Sequence, residues 1–108
     1  MKNFFVVQSQ DPFTDARTAQ QFELVRTLAS RGNKVKVMLV QNAVLAARLD
    51  ARAGPLFQLL DNRISLYADE FSLALREIKP SELLTFVVPA GLDLVINAMQ
   101  DGDKVIWN

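Results

Sequence analysis

Short apolar runs recur along the chain and are separated by polar turns and by segments with helical spacing. The first run, Phe4-Phe5-Val6-Val7, is continuous rather than alternating and consists of aromatic and β-branched residues, as in strands that are covered on both faces. Later runs have a similar character. The pattern therefore predicts strands over residues 3–8, 35–40, 64–67, 83–88 and 104–107.

Helical spacing follows the first two runs. Residues 15–31 carry apolar side chains every three or four positions, and Gly32 is expected to cap the C-terminus of this helix. Asn42 is expected to cap a second helix, which reaches about residue 52. The side chains of the first helix that should face the core are Ala19, Phe22, Val25, Leu28 and Ala29.

Two more helices are predicted in the second half of the chain. One follows residue 67 and is ended by Pro80, because proline cannot continue a helix. The other spans residues 89–99 and is followed by a turn at residues 101–103. The apolar positions that should face the core are Phe71, Ala74, Leu75 and Ile78 in the first helix, and Leu92, Val95, Ile96 and Met99 in the second.

Strands that alternate with helices predict an α/β fold. Because parallel strands are joined by right-handed crossovers through helices, the expected architecture has three layers, a mainly parallel five-stranded sheet with helices on both faces. No linker, repeat or low-complexity segment interrupts this alternation. We therefore expect a single domain over residues 1–108.

The charge balance narrows the choice of partners. Twelve Lys and Arg residues are matched by twelve Asp and Glu residues, and no segment gathers the basic side chains into the stripe that binds a phosphate backbone. Nucleic acid is therefore not an expected partner. The apolar runs are too short to cross a bilayer or to form the apolar region of a signal peptide, so we expect no membrane association and a cytoplasmic location.

The chain contains neither cysteine nor histidine, which restricts its chemistry. Their absence removes the thiolate nucleophile, the imidazole proton shuttle and the commonest transition-metal ligands. Carboxylates, hydroxyls, Lys, Arg and one Tyr remain. This composition favours a non-enzymatic role, with no catalytic residue, no metal site and no cofactor assigned.

The loops after the strands are the expected location of a binding site, since ligands of open α/β sheets bind beyond the carboxyl ends of the strands. The four glycines are isolated, so nucleotide and flavin binding are disfavoured. Carboxylates in these loops can share a proton or bind a cation, although capping of helix N-termini is their simpler role. The residues expected to form a candidate pocket are Asp11, Thr14, Asp15, Asn42, Tyr67, Asp69 and Glu70.

Two aromatic residues end predicted strands. Tyr67 is expected to pack at the edge of the core, with a place in the pocket as the alternative. Trp107 is expected to anchor the final strand, with a subunit contact as the alternative. Neither residue alone identifies a function.

Three stretches of the sequence stand in a familiar order. They are residues 8–13 (Gln-Ser-Gln-Asp-Pro-Phe), residues 39–47 (Leu-Val-Gln-Asn-Ala-Val-Leu-Ala-Ala) and residues 103–107 (Asp-Lys-Val-Ile-Trp). Together they resemble the DsrE/DsrF/DsrH (TusB/TusC/TusD) sulfur-relay superfamily, and most closely its DsrH-like (TusB-like) or small DsrE-like members. The resemblance implies a DsrE-like, flavodoxin-like fold and assembly as a homo-oligomer or as a hetero-oligomer with other DsrE-family subunits.

In the sulfur-carrying members of that superfamily, a cysteine after the third strand and shortly before an Arg-Gly pair holds sulfur as a persulfide. Here Arg76-Glu77 stands in the place of that pair, and the resemblance then puts Asp69, or Ala68, at the position of the cysteine. Neither side chain can attack a persulfide or hold the transferred sulfur. The resemblance therefore implies a member of the superfamily without the transfer activity.

Two functions remain as hypotheses, beside a third interpretation in which the chain is a stable α/β domain whose only activity is association. The first is a non-catalytic DsrE/DsrH-like subunit that acts as an oligomerisation or structural partner in intracellular sulfur transfer. The alternative is a small-molecule or cation-binding domain, or a weak hydrolase, that uses carboxylates at the carboxyl ends of the strands. Those carboxylates are Asp11, Asp15, Asp69 and Glu70.

Overall fold

The computed structural model describes residues 2–9, 16–48 and 64–107. Its strands are β1 (Asn3–Gln8), β2 (Lys34–Leu39), β3 (Ile64–Asp69), β4 (Val87–Ala90) and β5 (Lys104–Trp107). They form one five-stranded sheet in the order β4-β3-β2-β1-β5, with all neighbouring strands parallel. The predicted α/β fold with a parallel sheet is confirmed, and the predicted bounds of β1 and β5 are correct.

Three α-helices lie within the described residues: α1 (Ala16–Ser30), α2 (Glu70–Leu75) and α3 (Asp93–Gln100). Gln41–Ala47 and Pro80–Glu82 form 3₁₀ helices. Gly32 follows α1 with a φ of 88°, and its amide donates to the carbonyl of Ala29 at 3.0 Å, as predicted for a C-terminal cap. None of the described helices is long and apolar enough to span a bilayer.

One face of the sheet, which we call the covered face, carries the larger part of the core. The register aligns Val6, Val37, Leu66 and Val87 across four strands on this face. All four are buried together with side chains of α1, α2 and the first 3₁₀ helix. Continuous apolar strands of this kind are expected where helices cover a parallel sheet.

The opposite face, which we call the open face, carries a smaller cluster. The register aligns Val7, Met38, Tyr67 and Val88 there. Helix α3 packs over Val7 and Met38 through its own buried side chains, Val95 and Ala98. Tyr67 is half-buried and Val88 is exposed, so burial decreases from the middle of the sheet toward β4.

The predicted helix that begins at Asn42 is wrong in its first part. A 3₁₀ helix, Gln41–Ala47, occupies this position, and it is preceded by Val40 with no side-chain cap. Asn42 lies inside this 3₁₀ helix rather than at its N-cap, and its Oδ1 accepts a hydrogen bond from Arg76 Nη2 at 2.9 Å. Residues 49–52 of the predicted helix lie outside the described residues.

Helix α2 is shorter than predicted. It ends at Leu75, before Pro80, and Glu77 adopts a left-handed φ of 54°, which a continuing helix does not allow. The amide of Ile78 then donates to the carbonyl of Leu73 at 3.0 Å, which closes the end of the helix. Ile78 is buried as predicted, but from a position beyond the helix.

The orientation predicted for α2 is also wrong. Phe71 is 70% exposed, and Ala74 and Leu75 are exposed, although all three were expected to face the core. The buried residues of the helix are Ser72 and Leu73. A helix of six residues has too few turns for its apolar spacing to determine which side faces the sheet.

Strand β4 begins later than predicted, at Val87 rather than at residue 83. The second 3₁₀ helix precedes this segment, and Leu83 forms an isolated antiparallel bridge with Arg48 instead of joining β4. The strand continues to Ala90, so the last helix cannot begin at residue 89 and α3 starts at Asp93.

The apolar side predicted for α3 is wrong at three positions. Leu92, Ile96 and Met99 are exposed, whereas Val95 is buried as expected. Ala98 is the other buried residue of the helix. The helix thus carries two apolar sides, one against the sheet and one toward solvent.

Candidate functional site

The buried polar side chains lie at the carboxyl edge of the sheet. Among the described residues, the polar or charged side chains that are buried are Gln8, Asp69 and Ser72. Gln8 is the last residue of β1, Asp69 is the last residue of β3, and Ser72 lies in the first turn of α2. Burial of polar groups costs free energy unless they are hydrogen-bonded, so their grouping at one edge identifies this edge as the candidate site.

Asp69 joins β3 to α2 and is only 4% exposed. Its Oδ2 accepts hydrogen bonds from the amide of Ser72 at 3.0 Å and from Ser72 Oγ at 2.7 Å. Asp69 is therefore the N-cap of the helix, which satisfies a backbone amide that has no partner within the helix. The same bonds turn Ser72 inward and leave Phe71 on the outside.

Ser72 links this helix to the end of β2. Its Oγ accepts a hydrogen bond from the backbone amide of Gln41 at 2.9 Å while donating to Asp69. Gln41 has a φ of 51°, in the left-handed region that glutamine rarely adopts. Such a conformation persists where surrounding contacts hold it, and here the bond to Ser72 is such a contact.

Arg76 is held beside this network by two hydrogen bonds. Its Nη1 donates to the carbonyl of Ser72 at 3.2 Å, and its Nη2 donates to Asn42 Oδ1 at 2.9 Å. The side chain is half-buried as a result. A guanidinium has five N–H donors, so this arrangement fixes its position and leaves donors available.

These residues surround a cleft of about 460 Å³. Its polar side is formed by Gln41, Asn42, Asp69, Ser72 and Arg76. Its apolar side is formed by Val40, Phe71, Leu75, Leu92 and Trp107. Apart from Val40, these apolar side chains are at least half exposed, and Trp107 is 62% exposed.

The structure brings together only part of the predicted pocket. Asn42 and Asp69 line the cleft, whereas Tyr67 and Glu70 do not. Tyr67 packs against the smaller core cluster on the open face, and Glu70 is exposed in the first turn of α2. Asp11, Thr14 and Asp15 lie outside the described residues.

The described residues show no group that could hold a metal ion. No three carboxylate side chains lie close enough together within residues 2–9, 16–48 and 64–107. Asp69 is engaged instead by Ser72. The candidate cation site made of Asp69 and Glu70 with Asp11 and Asp15 therefore rests on residues that the structure does not describe.

Several residues of the cleft were not predicted. Gln41, Ser72 and Leu92 were not part of the predicted pocket, and Trp107 was expected as an anchor of the final strand. They meet because the strand order and the turn of α2 bring distant segments to one edge. The sequence drew attention to one residue of the cleft outside the predicted pocket, Arg76, which matches the arginine of the family's Arg-Gly pair. It lies one helical turn beyond Ser72 and seven residues after Asp69.

The parallel sheet, its strand order and the capped junction after β3 define a small α/β protein with its candidate site at the carboxyl edge. The model of the DsrE/DsrF-like family matches residues 2–107, and the chain belongs to this family. The predicted relationship is thereby confirmed. A comparison with curated proteins gives no match.

Two solved structures share the fold over essentially the whole chain. The ychN protein from E. coli superposes with a TM-score of 0.89 at 15% sequence identity and covers 100% of both chains. The protein of unknown function MTH1491 from Methanobacterium thermoautotrophicum has a TM-score of 0.82 at 18% identity, covering 99% of this chain and 98% of its own. At these identities the similarity is one of fold.

Proposed function

We propose that this chain is a non-catalytic DsrE-like subunit, which assembles with itself or with other subunits of the family in intracellular sulfur transfer. The chain belongs to a family with a fold related to sulfur relay, whose members often act in complexes. Its proposed contribution is a DsrE-like fold with a contact surface, without a sulfur-bearing thiol. The proposed location is the cytoplasm.

The observation that carries the proposal is the side chain at the end of β3. The sequence contains no cysteine, and Asp69, or Ala68 beside it, is the residue that the resemblance aligns with the sulfur-bearing position. Asp69 is buried and engaged as the cap of α2. A carboxylate cannot accept sulfane sulfur as a thiolate does, which supports a role other than carrying sulfur.

Exposed apolar side chains support the assembly part of the proposal. Ile96 and Met99 on α3 and Val88 on β4 are each more than half exposed, and they lie on the side of the open face. Apolar side chains that are exposed to this extent gain free energy when a partner removes them from water. The chain carries no net charge, so electrostatic repulsion does not oppose association. The proposed occupant is another DsrE-family subunit.

A sulfur-uptake experiment tests the non-catalytic part. The full chain is incubated with a sulfurtransferase whose persulfide carries labelled sulfur, and the label on the chain is measured. We expect no label on the wild-type chain. We expect the Asp69→Cys variant to accept the label, because a thiolate at the end of β3 can attack the donor's terminal sulfur and release the donor as a thiolate.

The matched control is Ser65→Cys, which places a thiol at an exposed position of the same strand. Slower labelling of this variant than of Asp69→Cys shows that the position, and not merely a thiol, is needed. Circular dichroism verifies that each variant is folded. Sulfur uptake by the wild-type chain would refute the proposal.

A further inference from the structure

We infer that the cleft at the carboxyl edge binds a small zwitterion with an apolar group, of the chemical class of the α-amino acids. The inference concerns the cleft of the chain itself and holds whether or not the chain assembles with other subunits. It rests on the size of the cleft, on two separated charges within it, and on the apolar side chains at its mouth.

The size of the cleft suits a small organic molecule. Its volume of about 460 Å³ falls within the range of about 300 to 1,000 Å³ that is usual for such sites. Polar groups lie on one side of it and apolar groups on the other. This division favours a ligand that is itself polar at one end and apolar at the other.

Asp69 supplies the negative charge. Both hydrogen bonds from Ser72 go to Oδ2, and no described residue donates to Oδ1. No fully buried side-chain oxygen or nitrogen among the described residues lacks a hydrogen-bond partner, so Oδ1 keeps some contact with solvent, and Asp69 is one of the residues that line the cleft. A carboxylate oxygen in a residue that is 96% buried gains from a ligand that donates, such as an ammonium group.

Arg76 supplies the positive charge at a separate point of the cleft. It forms no ion pair with Asp69, although both side chains line the same space, and the ion pair within the described residues joins Arg26 to Glu23. The bonds to Asn42 and Ser72 hold the guanidinium in place and leave three of its five N–H donors for a ligand. A carboxylate matches these donors.

The two charges together select the class of ligand. A simple cation would meet the positive charge of Arg76, and a simple anion would meet the negative charge of Asp69. A divalent metal ion would need further ligands, and no group of three carboxylates exists among the described residues. A zwitterion satisfies both charges at once.

The apolar residues at the mouth of the cleft favour a zwitterion that carries an apolar side chain. Phe71, Leu75, Leu92 and Trp107 present exposed apolar surface there. Apolar surface of this kind gains when a ligand removes it from water. A phenylalanine-sized side chain suits the two aromatic rings better than the hydrogen atom of glycine does.

Isothermal titration calorimetry on the full chain tests the inference with four probes. The probes are L-phenylalanine, 2-phenylethylamine, which lacks the carboxylate, 3-phenylpropionate, which lacks the amine, and glycine, which lacks the apolar group. We expect L-phenylalanine to bind about tenfold or more tightly than each of the others. Absence of saturable binding by L-phenylalanine, or equal affinity for either deletion analogue, would overturn the inference.

Two variants identify the charges involved. Asp69→Asn keeps an acceptor for Ser72 and removes the charge, so the preference for L-phenylalanine over 3-phenylpropionate should disappear. Arg76→Gln should remove the preference over 2-phenylethylamine. Glu70→Gln is the control, because Glu70 is exposed and lies outside the cleft, and it should bind as the wild type does. Unchanged selectivity in both cleft variants would also contradict the inference.

Discussion

The covered and open faces of the sheet are built from the same strands and yet differ in how much apolar surface they bury. On the edge strand β4, Val87 of the covered face is 5% exposed, whereas its neighbour Val88 on the open face is 52% exposed. Helices α1 and α2 and a 3₁₀ helix pack over the covered face, while among the described residues α3 is the helix that packs over the open face. The difference indicates that the covered face is buried out to β4, whereas the open face is buried around Val7 and Met38 and leaves apolar surface exposed at β4, where a partner would cover it.

The carboxyl edge of the sheet has both buried and exposed side chains. Asp69 and Ser72 are buried there and joined by hydrogen bonds, while Phe71 and Trp107 are exposed beside them. Buried, hydrogen-bonded polar side chains next to exposed apolar ones are typical of a binding site, rather than of a cluster that only stabilises the fold. Variants on the two faces and at this edge can therefore separate stability from binding.

The largest expected effect on stability comes from the covered face. Val87→Ala, on the covered side of β4, removes buried methyl groups and leaves a cavity, so the free energy of unfolding should fall by about 2 to 3 kcal/mol. The matched change Val88→Ala on the open face should alter it by less than about 0.5 kcal/mol, since that side chain is half exposed. Denaturant titration of both variants measures the difference. Equal losses would contradict the distinction between the faces.

The next largest effect is expected at the edge. Asp69→Ala removes the N-cap of α2 and the partner of Ser72 Oγ, so the free energy of unfolding should fall by about 1 to 2 kcal/mol. The free energy of unfolding should fall much less in Asp69→Asn, because asparagine also caps helices. The same titration checks both variants. A loss for Asp69→Asn as large as that for Asp69→Ala would show that the charge, rather than the cap, is what stabilises this junction.

The sequence predicted the strands better than the orientation of the helices. The short continuous run Phe4-Phe5-Val6-Val7 is aromatic and β-branched, which favours a buried strand over a helix, and the predicted bounds of this strand, Asn3–Gln8, were correct. Helix α3 instead has apolar residues on two sides, and the spacing of Leu92, Ile96 and Met99 is as helical as that of the buried Val95. Spacing identifies a helix, but it does not tell which of two apolar sides faces the sheet.

The candidate site was predictable only in part, for a similar reason. The position of Asp69 after a strand marked it as a cap or a site residue, and the cap is present. Its meeting with Gln41, Arg76 and Trp107 depends on the strand order and on the short turn of α2. Such long-range proximity follows from the packed fold and has no local signal in the sequence.

A change on the open face should affect assembly and leave the fold intact. Ile96→Glu places a charge on an exposed apolar position of α3, so the free energy of unfolding of the isolated chain should change by less than about 0.5 kcal/mol. The same charge should weaken contact with another subunit, because burial of an unpaired carboxylate is costly. Ser81→Glu is the control, since it adds an equal charge at an exposed position of the second 3₁₀ helix.

Native mass spectrometry of the full chain tests the central claim most directly. The chain is measured alone and mixed with DsrE-family subunits from the same organism, for the wild type and for the Ile96→Glu and Ser81→Glu variants. We predict assembled species for the wild type and for Ser81→Glu, and a shift toward monomer for Ile96→Glu. A wild-type chain that stays strictly monomeric, both alone and in the mixtures, would contradict the account.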